Sequence, residues 1–357
     1  MTTPKAFLIG CVAAAFLAGP SLAFAPQATP NSLDRAIVTA SSPLGAQQNE
    51  ALEAFIGGWI NVLESSSNAR NLVSARQNLV DSFRDGTATP IFRRAFSGIA
   101  VPRLEPIVKG KDLQRAIMAM QVARFIGTPE SIALLTARLN VAQEADAGKR
   151  LSAASNLIGA LSDAKLTAVE FTTAARAIGA AASSETDALV VLQQVRALSS
   201  LVRRSDLPPQ AATFARTTQV EVLRSLLQQL REGSAADARI GILNQALITL
   251  RDQWLQLKEA ERTAVGPTLA PALADVFAIG GKQWETARSD PEQATQYAEA
   301  IAIAEVLLRS VDRTVRPNGG GTGAEKAIAT AWDAGNKSAF DAEVAKWTTV
   351  LGAAPYK

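Results

Sequence analysis

The chain has 357 residues, 48% hydrophobic and 19% charged, which suits one or two packed domains or one extended stack and excludes a disordered chain. With no histidine and one cysteine, it excludes Ser-His-Asp and Cys-His catalysis, histidine haem ligation and nearly every zinc site. A net charge of +3 is too small to argue for nucleic acid, and 5% aromatic residues leave little for a sugar site of stacked rings.

The first segment reads as a secretion signal. Lys5 precedes an apolar run, Ala6 to Ala18, and Ser21-Leu22-Ala23 offers a small-residue cleavage site. Cleavage after Ala23 is preferred to Ala23-Phe24-Ala25, which would leave Pro26 just past the scissile bond. The run is shorter than the roughly 20 residues needed to span a bilayer, and no later segment reads as a transmembrane span. Leu8-Ile9-Gly10-Cys11 resembles a lipoprotein box, but five residues separate Lys5 from Cys11 and the apolar run continues past it. The expectation is an exported chain, periplasmic or extracellular, that discards Cys11 and has neither lipid anchor nor disulfide.

Residues 24–48, rich in Pro, Ser, Ala, Gln and Thr, predict a flexible lead-in to a helical domain over 49–316. The first helix, Asn49 to Glu64, carries Leu52, Phe55, Ile56, Trp59 and Leu63 on one face. Gly57 and Gly58 would let another backbone come close. Ala69 to Phe83 repeats the pattern with Leu72, Ala75, Arg76, Leu79 and Phe83. Between 91 and 124, Arg93, Arg94, Arg103, Lys109, Lys111, Arg115 and Arg124 face only Glu105 and Asp112. Pro102 and Pro106 should break this region into short pieces. The first six of these cations are the candidate site: a basic patch for an acidic protein face or another anionic partner of the cell envelope.

The clearest stretch is Asp112 to Val141. Leu113, Ala116, Ile117, Met120 and Ala123 lie on one helical face, Gly127 can close that helix with positive φ, and Thr128-Pro129-Glu130 starts another. Ile132, Leu135, Leu139 and Ala142 continue the second face. Two such helices cannot bury both apolar faces alone, so units of this kind stack. The Ala-rich helix ending in Phe125-Ile126-Gly127, the Pro129 turn and the Leu-rich second helix resemble a HEAT repeat. The resemblance implies an irregular, all-α solenoid that binds other macromolecules and has no catalytic residues. Its period is uneven: Ile158-Gly159 and Ile178-Gly179 echo Ile126-Gly127 after 32 and 52 residues, where a regular array returns after about 40–47.

Further helices are predicted over Asp146–Leu161, Leu166–Ala182, a segment opened by a Ser184/Asp187 capping box, Gln210–Arg231, Ala235–Leu257 and, after Asp290-Pro291-Glu292, up to Arg316. Pro267 and Pro271 should kink or split the segment that holds them. The expected core includes Ile117, Met120, Leu135, Leu192, Val195, Leu226, Leu247 and Leu250. Residues 317–323, Pro-Asn-Gly-Gly-Gly-Thr-Gly, predict a flexible linker, and no Gly-Lys-Ser/Thr follows to make it a phosphate loop. Residues 324–357 predict a C-terminal helical hairpin that buries Trp332 and Trp347 and caps the stack.

The function that follows is a non-catalytic scaffold or protein-interaction module needing no metal or cofactor. The alternatives are a binder of small anions or lipids, or an α/α-barrel enzyme acting on polysaccharides through two carboxylates. For the enzyme, Glu130, Asp146, Glu185, Asp206, Glu232, Asp290 and Glu292 are the candidates, and nothing in the sequence singles out a pair.

Overall fold

The computed structural model describes residues 32–204, 206–234, 237–320 and 322–357. The expected signal, Cys11, the first part of the lead-in and the expected helix start at Ala235 lie outside the described residues. Those residues form helices and connections, with no strand among them.

One helical turn, α1 (Arg35–Val38), precedes six pairs. These are α2 (Ala46–Ser65) with α3 (Ala69–Arg84), α4 (Pro90–Lys109) with α5 (Leu113–Ile126), and α6 (Pro129–Thr136) with α7 (Ala147–Asp163). Then come α8 (Ala168–Ser184) with α9 (Ala188–Val202), α10 (Pro209–Glu232) with α11 (Arg239–Gln256), and α12 (Glu259–Lys282) with α14 (Pro291–Val315), the short α13 (Trp284–Arg288) lying between the last two. The first helices of the pairs pack side by side in one layer and the second helices in another, a solenoid-like stack around one continuous core. The pairs begin at Ala46, Pro90, Pro129, Ala168, Pro209 and Glu259, steps of 44, 39, 39, 41 and 50 residues. Gly127, Gly159 and Gly179 are not equivalent markers of this step: the first closes α5, whereas the others lie inside α7 and α8.

Local chemistry accounts for many of the boundaries. Asp112 accepts from the Arg115 amide, and Gly127 ends α5 at φ 63°. Thr128 and Ser131 cap α6 reciprocally, with Pro129 in its first turn. Asp146 caps α7, and Asp290 caps α14 through the Glu292 and Gln293 amides. The Ser184/Asp187 box does not form: Ser184 ends α8, and Asp187 alone caps α9.

Both proline pairs sit inside unbroken helices, contrary to the sequence expectation. Pro102 and Pro106 lie in α4, and Pro267 and Pro271 in α12. An interior proline costs about 3 kcal/mol by removing a hydrogen bond and crowding the carbonyl four residues back. Here each pair is spaced four residues apart, exposed in α4 and half-buried in α12. The carbonyls of exposed Gly98 and Thr263, freed by Pro102 and Pro267, can therefore be solvated, while the opposite faces stay packed. By length and composition α12 is also apolar enough to cross a membrane, which the sequence reading missed. Over half of its most apolar window (56%) is buried, and it packs against α10, α14 and α16 (Lys337–Leu351).

Within the expected lead-in, α1 buries Ile37 and Val38, and Thr89 ties the segment down through the carbonyls of Val38 and Ala40. The second helix of the clearest stretch stops at Thr136, so Ala142 is exposed in a turn closed by Asn140. Of the expected core, Met120, Leu135, Val195, Leu226, Leu247 and Leu250 are buried, while Ile117 and Leu192 are half-buried. Gln194 holds a core position in α9 by donating to the Leu139 carbonyl.

The glycine-rich segment folds back on the end of α14. The Gly319 and Gly320 amides donate to the Arg316 carbonyl, and a Cβ at Gly320 would lie 2.7 Å from the Asp312 carbonyl oxygen. After it, α15 (Ala327–Asp333) packs on α14, and α16 closes the first layer on α12. Trp332 and Trp347 are buried as expected, Trp332 among Trp284, Tyr297 and Phe340.

Candidate functional site

The six cations of the basic stretch are not brought onto one face. Arg93 and Arg94 stand in the first turns of α4, while Lys109 and Lys111 stand at its other end; Arg94 to Lys109 spans about 22 Å of helix axis at ~1.5 Å per residue. Arg93 is half-buried over the Phe83 ring and donates to the carbonyls of Phe125 and Ile126 at 2.7 and 2.8 Å, closing the end of α5. Burial holds its pKa below the ordinary arginine value, with Asp163 acting in the opposite direction. Arg103 lies across Gly57 of α2 and pairs with Glu53 at 3.1 Å; the close approach at Gly57 is thus a side chain's. Lys109 pairs with Glu105. Arg115 pairs with Asp112 and donates to the Ser66 carbonyl. Arg94 and Lys111 are exposed, without a partner among the described residues.

Side chains, several of them cations, meet helix ends in the same way along the stack. On the edge where first helices end and second helices begin, Arg115 reaches back to Ser66 at the end of α2, and Lys149 to Gly110 at the end of α4. Ser225 and Gln229 donate to the Ser183 carbonyl near the end of α8, and Lys282 donates to Arg231 near the end of α10. The join between the third and fourth pairs is made by Arg150 and Glu185. The first six pairs are thus linked in turn by side chains that mostly satisfy helix-end carbonyls.

The carboxylates proposed for acid–base work serve local structure from α6 to α14. Glu130 accepts from the Ser97 hydroxyl, Asp146 and Asp290 cap helices, and Asp206 takes two hydrogen bonds from Arg204. Glu232 and Glu292 each accept from a glutamine on their own helix. Glu185 is wholly buried against Arg150. Burial alone would raise its pKa, but the Arg150 hydrogen bonds and the Asp187 and Thr186 amides hold it below the ordinary carboxylate value.

A hollow of about 510 Å³ opens between the start of α12, one face of α14 and the segment leading into α15. Arg262 of α12 lines it, donating through Nε to the Trp254 carbonyl (2.9 Å) and through Nη2 to that of Leu255 (2.8 Å); neither bond uses Nη1. Arg309 of α14, 8% exposed, gathers the Thr322, Gly323 and Ala324 carbonyls and so fixes the returning segment as one wall. One turn on, Arg313 is exposed and has no partner among the described residues. Lys326, on the returning segment, is the single non-glycine with positive φ among the described residues, at 56°. Such a conformation costs about 1–3 kcal/mol and is found at functional positions. Val306 and Pro317 add apolar surface, Ser310 accepts from the Trp254 indole, and Glu259 and Glu325 supply the opposing charge.

Sequence reasoning missed this site. Its cations are separated by up to 64 positions, Arg262 to Lys326, and converge only because the glycine-rich segment returns on α14. The one local signal was Arg309 and Arg313, a turn apart on the same helix. No protein family matches the chain, and no curated protein is significantly similar to it.

Proposed function

We propose that this chain is an exported, non-catalytic scaffold of HEAT-like type that presents a rigid helical surface to a protein partner of the cell envelope. The carrying observation is the succession of cross-pair bonds from Ser66 to Lys282. They tie each pair to the next, and at Arg115, Lys149, Arg150 and Glu185 they use buried or half-buried charges for structure. An acidic partner would meet the cations that structure leaves over, Arg94 and Lys111. The test is crosslinking in intact cells followed by purification. One stoichiometric envelope protein, diminished by Arg94→Glu with Lys111→Glu, supports the reading. Turnover of a polysaccharide by the purified chain, with no such partner, overturns it. N-terminal sequencing of the purified protein tests export, with Phe24 expected first.

A further inference from the structure

We propose that the hollow between α12, α14 and the start of α15 binds a small molecule bearing two or more carboxylate or phosphate groups on a short carbon body. Four cations from three separate segments, Arg262, Arg309, Arg313 and Lys326, line one space of about 510 Å³, against Glu259 and Glu325. The excess of two positive charges matches a ligand of at least two negative charges, and the volume is that of an ordinary small-molecule site.

The cations divide the work. Arg262 and Arg309 are fixed by backbone carbonyls and pre-organise the walls. Arg313 and Lys326 have no partner among the described residues and are free to close on an oxyanion. Val306, 45% exposed on the same wall, gives the carbon body a surface. The left-handed backbone at Lys326 is the second, independent sign. Glycine would adopt it without strain, yet the position holds a long cation on the rim of the hollow.

The experiment is titration calorimetry of the full mature chain with citrate, inorganic phosphate and neutral sorbitol as probes, at low ionic strength. Citrate or phosphate should bind and sorbitol should not. The oxyanion that binds more tightly identifies the preferred group. Arg313→Glu and Lys326→Gly should each weaken that binding about tenfold or more, the scale of one charge-assisted contact. Both variants should fold: Arg313 is exposed, and Lys326→Gly removes backbone strain, so an unchanged or raised melting temperature is expected for it. Absence of heat with both oxyanions, or equal binding by both variants and the parent chain, overturns the proposal. Neither result bears on the scaffold reading, whose test is the envelope partner.

Discussion

Arg150 and Glu185 form a two-pronged ion pair across the join of the third and fourth helix pairs, Nε to Oε2 at 2.7 Å and Nη2 to Oε1 at 3.0 Å, with the carboxylate wholly buried. Arg150 also donates to the Glu144 and Ala145 carbonyls, so one guanidinium serves two connections. Removing one member leaves the other's charge buried and unmatched. Glu185→Leu and Arg150→Met should therefore each lower stability by about 3–5 kcal/mol, whereas the two together should recover most of that loss. Urea denaturation of the two single variants and the double variant checks this as a mutant cycle.

The same pair sets an acid limit. Glu185 titrates below its ordinary value in the folded chain, and so does Asp237, where burial is outweighed by hydrogen bonds from the Arg239 side chain and amide. In acid the unfolded chain takes up protons first. The stabilisation is therefore complete above the unfolded carboxylate pKa, about 4, and is lost as pH falls through the lower folded values. With no histidine in the chain, little should change between pH 6 and 8. Melting temperature against pH should be flat there and fall below about pH 4. In Glu185→Gln it should start lower and fall less steeply.

Features that depend on neighbouring residues were readable from the sequence. The cap at Thr128, the helix start at Asp290 and the stop at Gly127 use groups within three or four residues and lie where expected. Features set across a unit were not. The prolines of α4 and α12 read as breaks because propensity knows nothing of the packed opposite face. The basic stretch read as one patch because its sequence clustering hid partners 50 residues away, such as Glu53 for Arg103. Ile117 and Leu192 lie on apolar stripes, but packing two layers deep settles which part of a stripe is covered.

That last difference is measurable. Leu135 is fully buried and Leu192 is half-buried against the core edge. Leu135→Ala should cost about 2–5 kcal/mol, and Leu192→Ala clearly less, since part of the side chain is already in water. Chemical denaturation of the two variants decides it; equal losses would mean that Leu192 is a core residue.

The C-terminal pair should be part of the same cooperative unit. Trp332 meets Trp284 at 4.8 Å between ring centroids, Glu305 accepts from the Ile328 and Ala329 amides, and the Tyr356 hydroxyl donates to Asp312 at 2.7 Å. Trp332→Ala should cost about 3–5 kcal/mol and lower a single unfolding transition. Truncation after Arg316 should uncover apolar faces of α12 and α14 and make the chain associate. A truncated chain that stays monomeric and keeps its melting temperature, as read by light scattering and calorimetry, would show that residues 317–357 form an independent element.

The cations of the basic stretch should separate by role. Arg93 closes α5 through two carbonyls, so Arg93→Ala should lower stability by roughly 1.5–3 kcal/mol, the range for hydrogen bonds to a charged group. It should change retention on an anionic resin little. Arg94 and Lys111 are exposed, without partners among the described residues, and lie toward opposite ends of α4. Arg94→Glu with Lys111→Glu should leave the unfolding free energy within about 0.5 kcal/mol of the parent chain while weakening retention at low salt. At high salt the retention of parent and variant should converge, because exposed charges are screened beyond about 10 Å at 0.1 M. If Arg93→Ala weakens retention and the double exchange does not, the anionic partner reads the α5 end of the helix pair, and Arg93 belongs to the binding surface.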